Sequence, residues 1–185
     1  MKIKSYLAVI AVMLCGSVFA QDLYFDKNDE KFRMINCTKV NITSPQEELE
    51  LYVSLSYSHS YEYDFTFWNL GFTVKSELPK KFAKDSRLLI KLLDDSLIEL
   101  KILTETDSYL GFEVGRRASC EVVYRIKEDD ILALTKGVKK LRFETTLRNI
   151  DIELNEDVMG EVIRKSYKII QEALSIKPKG FTEDF

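Results

Sequence analysis

The chain has 185 residues, a formal net charge of −3, 45% hydrophobic residues and 31% charged ones. That length suits one domain able to bury most of its apolar surface, and the apolar fraction excludes a disordered chain. The mild acidity argues against nucleic acid or an anionic membrane surface as a partner.

Residues 1–20 have the layout of a secretory signal. Lys2 and Lys4 supply a positive start, Tyr6 to Cys15 is a nearly unbroken apolar run, and Val18 and Ala20 stand where a signal peptidase reads. The run falls short of the roughly 20 apolar residues that cross a bilayer. Leu14 precedes Cys15, where a lipid-attachment site needs a small residue. Cleavage after Ala20 removes Lys2 and Lys4, so the net charge moves from −3 to −5. The expected product is a free periplasmic or secreted protein with no transmembrane segment. Export permits a disulfide between Cys37 and Cys120. Such a bridge would close a loop of about 84 residues and stabilise by about 4–5 kcal/mol on the chain-entropy model. The alternative is two separate buried thiols.

Residues 21–31 read as a polar lead-in, and 32–185 as a single β-rich domain. Residues 32–43 alternate, with Phe32, Met34, Thr38, Val40 and Ile42 on one side, until Ser44-Pro45 breaks the run. Residues 49–57 and 61–69 form a hairpin around Ser58-His59-Ser60. Its buried face would pair Tyr57 with Tyr61, Leu55 with Tyr63, Val53 with Phe65 and Leu51 with Phe67. Residues 87–93 and 97–103 form a second hairpin around Asp94-Asp95-Ser96, with Lys91 opposite Glu99. Ala118 to Ile126 is a strand, Glu128 to Leu134 a short helix ended by Gly137, and 138–145 and 147–154 two further strands. One long helix spans 156–175, capped by Asn155, with Val158, Val162, Ile163, Ile169, Ile170, Ala173 and Leu174 along one stripe. Strands without intervening helices, followed by one amphipathic helix, give an α+β or mainly-β fold. The helix packs on an antiparallel sheet or β-sandwich.

Little in the chain carries chemistry. His59 is the one histidine, at a predicted loop tip between serines, where no third group would hold it as a base. Asp94-Asp95 and Asp129-Asp130 are explained by a turn and a helix start. Asp26, Asn28 and Glu30 lack the glycine and the closing acid of a calcium loop. No phosphate loop or zinc spacing occurs, so no cofactor, metal or catalytic residue is assigned. Lys136, Lys139, Lys140, Arg142 and Arg148 read as a charged strand edge. Two sequons begin at Asn36 and Asn41. The aromatic residues concentrate between positions 52 and 72, mostly toward the core. Tyr52 and Trp68 would instead share the polar face with Ser54, Ser56, Glu62, Asp64 and Thr66. There they would stack on a sugar or contact a protein.

The signal, the Leu88–Leu103 hairpin and the stretch from Tyr124-x-Ile126 to Lys139-Lys140-Leu141-Arg142 resemble small exported proteins of Gram-negative envelopes. That resemblance implies a periplasmic location and no activity. The leading reading is a non-enzymatic binding module whose partner is an envelope protein or carbohydrate. A carboxylate-dependent hydrolase and an inhibitor or immunity-type protein are the alternatives.

Overall fold

The computed structural model describes residues 22–43, 49–77, 81–103, 106–107, 109–110, 118–146, 148–154 and 157–176. The predicted signal and Asn155 lie outside the described residues. In chain order the strands are β1 (Leu23–Asn28), β2 (Phe32–Cys37), β3 (Val40–Asn41), β4 (Leu49–Ser60), β5 (Phe65–Ser76), β6 (Lys81–Phe82), β7 (Arg87–Leu92), β8 (Leu97–Lys101), β9 (Thr106–Asp107), β10 (Tyr109–Leu110) and β11 (Ala118–Ile126). Then come α1 (Glu128–Leu134), β12 (Val138–Phe143), β13 (Ile150–Glu153) and α2 (Val158–Ser175).

Every pairing is antiparallel. A large sheet runs β1-β2-β4-β5-β11-β10, with β3 continuing beside β4. A four-stranded sheet runs β13-β12-β7-β8, and β6 pairs with β9. The expected antiparallel fold with a C-terminal helix packed on it is the observed one. The stretch read as a polar lead-in holds an edge strand, β1.

One face of the large sheet is buried. Ile35, Leu51, Val53, Leu55, Leu70, Val122 and Tyr124 are all fully inaccessible there. The helix α2 covers the β2 and β4 half of this face, presenting Met159, Val162, Ile163, Ser166, Ile170 and Ala173 at helical spacing. The small sheet meets the other half. Phe143 of β12 lies 5.1 Å from Phe72 and 6.4 Å from Tyr124, ring centre to centre. These contacts form one contiguous hydrophobic core.

The first hairpin departs from its expected register. Strands β4 and β5 each run 12 residues, joined by a turn at 61–64, with Asp64 at φ 46°. The buried face pairs Tyr57 with Trp68, Leu55 with Leu70, Val53 with Phe72 and Leu51 with Val74. The segment contains two opposed alternations, an odd one over Tyr61, Tyr63, Phe65 and Phe67 and an even one over Trp68, Leu70, Phe72 and Val74. The even set wins because it continues to the strand's end beneath both covering layers. Phe65 is left 49% exposed on the other face.

A similar parity change corrects the first predicted strand. Ile35 and Cys37 point inward rather than Phe32 and Met34. Asn36 pairs with Ser56 and Val40 with Val53, so Thr38 and Lys39 together oppose Ser54. This bulge flips the alternation and returns Val40 and Ile42 to the core. The second hairpin keeps its predicted faces with partners shifted by two. Its loop is Leu93-Asp94-Asp95, Ile90 pairs with Ile98, and Lys91 pairs with Asp95 rather than Glu99.

Two glycines serve close approaches. Gly137 has φ 122°, which ends α1 and turns the chain into β12. Asp157 caps α2 by accepting from the Gly160 amide at 3.0 Å, and the same carboxylate oxygen accepts from the Val138 amide at 3.0 Å. A β-carbon at Gly160 would stand 2.2 Å from that oxygen, so this glycine makes room for the cap.

Candidate functional site

The alternation that buries one face of the large sheet sends small polar residues to the other. Four serines, Ser54, Ser56, Ser58 and Ser60, recur at every second position of β4. Register aligns them in rows across the sheet. One row runs Asn36, Ser56, Asn69, Arg125. The next runs from the Thr38-Lys39 bulge through Ser54 and Gly71 to Val123. A β-carbon at Gly71 would lie 2.9 Å from the Ser54 hydroxyl oxygen, so the floor there is as low as a sheet permits.

The result is an open trough of about 580 Å³ on the outer face, lined by Tyr24, Asn36, Thr38, Ser54, Ser56 and Gly71 among others. Lys39 and Glu121 close one end with an ion pair. Their strands are three spacings apart, about 14 Å, so the two side chains arch over β4 and β5. Both are about half exposed, so the pair adds little to stability and acts as a wall.

Outside the lining itself, in the row of the lining residues Asn36 and Ser56, stands Arg125. Its guanidinium carbon lies 4.9 Å from the Phe67 ring centre and 5.8 Å from that of Phe65. Asn69, opposite Arg125 in the row, has a buried side-chain oxygen without a hydrogen-bond partner. Across the same face Lys27 lies over Phe32, 4.6 Å from the ring centre.

Tyr52 and Trp68 do not share a face, which corrects the expected contact pair. Trp68 is 5% exposed on the inner face, packed between Tyr57 at 5.1 Å and Tyr167 of α2 at 5.5 Å. The register shift of the hairpin put it there. Tyr52 is on the outer face but beyond the Lys39–Glu121 pair. Its hydroxyl donates to Glu50 at 3.0 Å and the Lys75 ammonium lies 5.2 Å from its ring centre.

Cys37 and Cys120 are buried and not bonded to each other, which corrects the expected disulfide. Strands β4 and β5 lie between β2 and β11. That spacing alone puts them about 14 Å apart, beyond any disulfide. The Cys37 thiol donates to the Ser166 carbonyl at 3.6 Å. Burial pushes that thiol up to about 11, and the Ser166 contact offsets only part of the rise.

The other residues with chemical potential are engaged structurally. His59 is in β4, with its Nδ1 2.8 Å from the Thr66 hydroxyl. Lys139 pairs with Asp95, and Lys140 and Arg142 pair with Asp151. Glu144 is held below the usual carboxylate range by its hydrogen bonds from Arg87, and Asp151 likewise by Arg142. Asp26 binds Arg33 at 3.0 Å, and Asn28 accepts from the Tyr61 hydroxyl at 2.7 Å. Among the described residues no group of three or more His, Cys, Asp or Glu side chains is placed to hold a metal ion. No described helix is long and apolar enough to cross a membrane.

The trough has a signature that reading for core positions passed over. Serines at alternate positions of a long strand, opposite a glycine, predict a lowered polar floor. Compared with protein-family models, with curated proteins and with solved structures, the chain finds no match.

Proposed function

We propose that this chain is an exported, non-enzymatic binding module that holds its ligand on the outer face of the large sheet. The observation that carries this reading is the trough itself. It is a depression of about 580 Å³ whose floor and walls, Asn36, Thr38, Ser54, Ser56 and Tyr24, offer hydrogen bonds and ring contact but no nucleophile–base pair. Glu121, at one end of it, is neutralised by Lys39. A hydrolase of the two-carboxylate kind needs a second acid across the cleft, and the described lining contains none.

The secretory layout of residues 1–20 supports an envelope or extracellular setting. Mass spectrometry of the protein from its native host is expected to find a chain beginning near Gln21; an intact Met1 terminus would refute export by this route.

Binding is tested by filling the trough. Ser54→Tyr lays a ring over Gly71 without touching the core. Immobilised protein is expected to retain an envelope component that the Ser54→Tyr variant releases. Equal retention by both forms would reject the trough as the site.

A further inference from the structure

We infer that the ligand of the trough is a saccharide bearing a carboxylate, with Arg125 as the group that pairs with the acid. This rests on the binding reading above and adds the ligand's chemistry.

The described arginines fall into two kinds. Arg33, Arg87, Arg142 and Arg164 each hold a carboxylate. Arg148 and Arg125 have none among the described residues and are exposed; of the two, Arg125 is the one in the row of Asn36 and Ser56. Its side chain is nevertheless positioned, because the guanidinium rests against Phe67 and Phe65. Stacking leaves the planar edge of the guanidinium, with its forked donors, free to bind a carboxylate in two parallel hydrogen bonds.

The lining of the trough specifies the rest of the ligand. Apart from Lys39, which Glu121 engages, its side-chain hydrogen-bonding groups Asn36, Thr38, Ser54 and Ser56 are neutral hydroxyls and an amide, each able to donate and accept, which match sugar hydroxyls. The unpartnered Asn69 oxygen lies in the same row as Ser56 and Arg125 and accepts from such a hydroxyl when the amide turns. Tyr24, 76% exposed on the wall, supplies a flat face for a pyranose ring. An extended peptide would instead use backbone pairing at a strand edge. The trough lies on a sheet face, where the ladder's backbone groups are already paired.

The test uses the chain from Gln21 onward and calorimetric titration with tetramers of galacturonate, mannuronate and glucuronate–N-acetylglucosamine. Each is paired with its methyl ester, which removes the charge and keeps the sugar. At least one acid form is expected to bind, with its ester at least tenfold weaker. Arg125→Gln is expected to abolish the difference between acid and ester while leaving the circular dichroism spectrum unchanged. Rising salt is expected to weaken the acid form only. Equal binding of acid and ester, or an Arg125→Gln variant that still discriminates, overturns the role of Arg125. If no tetramer binds while Ser54→Tyr still releases the envelope component, the saccharide inference falls and the binding reading stands. If Ser54→Tyr changes nothing either, both fall.

Discussion

Tyr124 illustrates how single atoms report on this core. Its ring is fully buried against Phe72 and Phe143, yet its hydroxyl has no hydrogen-bond partner among the described residues. Burial pushes its pKa up, with the Cys120 thiol and Glu144 adding to the rise. An unmet buried hydroxyl costs about 1–3 kcal/mol, so Tyr124→Phe is expected to raise stability by about 1 kcal/mol in urea unfolding. A loss of stability would show that the hydroxyl makes a bond in solution. Cys37 gives a pH dependence of definite sign. Its folded value, about 11, exceeds the ordinary 9.0, so the folded state holds the proton more tightly than the unfolded chain. That contribution is complete below about pH 9 and is lost as pH rises through about 11, about 3 kcal/mol in all. Unfolding midpoints at pH 8 and pH 11 are expected to differ more for the parent than for Cys37→Ala; equal differences would refute it. Cys120 was legible as inward-facing, whereas the alternation over residues 32–43 put Cys37 on the opposite side; the separation of the two depends on strand order, which spacing along the chain does not encode.

At the level of elements, the C-terminal end of α2 is tied to the edge of the sheet. Arg33, 8% exposed, donates to the Ala173 carbonyl at 2.7 Å and to Asp26 of β1 at 3.0 Å. It therefore adds a second donor to a last-turn carbonyl that also accepts from the Ile176 amide at 3.3 Å, and places a cation at the negative end of the dipole. Removing it takes a charged donor from Asp26 and leaves the Ala173 carbonyl with the longer Ile176 bond. Arg33→Ala is expected to cost about 2–4 kcal/mol, and hydrogen exchange is expected to quicken in β1 and in the last turn of α2. Unchanged exchange in both would show that the tie is not needed. Local pattern read α2, α1 and β11 with small errors at their ends, since each buries one uninterrupted stripe; it kept the faces of the second hairpin but shifted its partners by two. It misread the first hairpin because two alternations of opposite parity overlap at Phe67-Trp68. Either alternation makes a self-consistent local pair; the choice lies with what covers the sheet.

Across the whole molecule, Phe143 joins the layers. It belongs to the small sheet and touches Phe72 and Tyr124 of the large one, with Phe82 6.2 Å away on a third segment. Phe143→Ala is expected to cost about 3–5 kcal/mol. Because the core is contiguous, fluorescence of Trp68, which lies under α2, and far-ultraviolet dichroism are expected to lose structure together at the lower midpoint. A Trp68 transition left unchanged would show that the layers unfold separately.

The sequence alone determined the strand-rich class, the C-terminal helix and the inward faces wherever a single alternation ran unopposed. Periodicity is a local property, and burial of one face follows from it. The tertiary structure decided the register of the first hairpin, the place of Trp68 and the separation of the cysteines. It also brought Asn36, Ser56, Asn69 and Arg125 into one row from four strands. Those are relations between segments far apart in the chain. They are set by which layer covers which face, and strand pairing carries that information only once the sheet has formed.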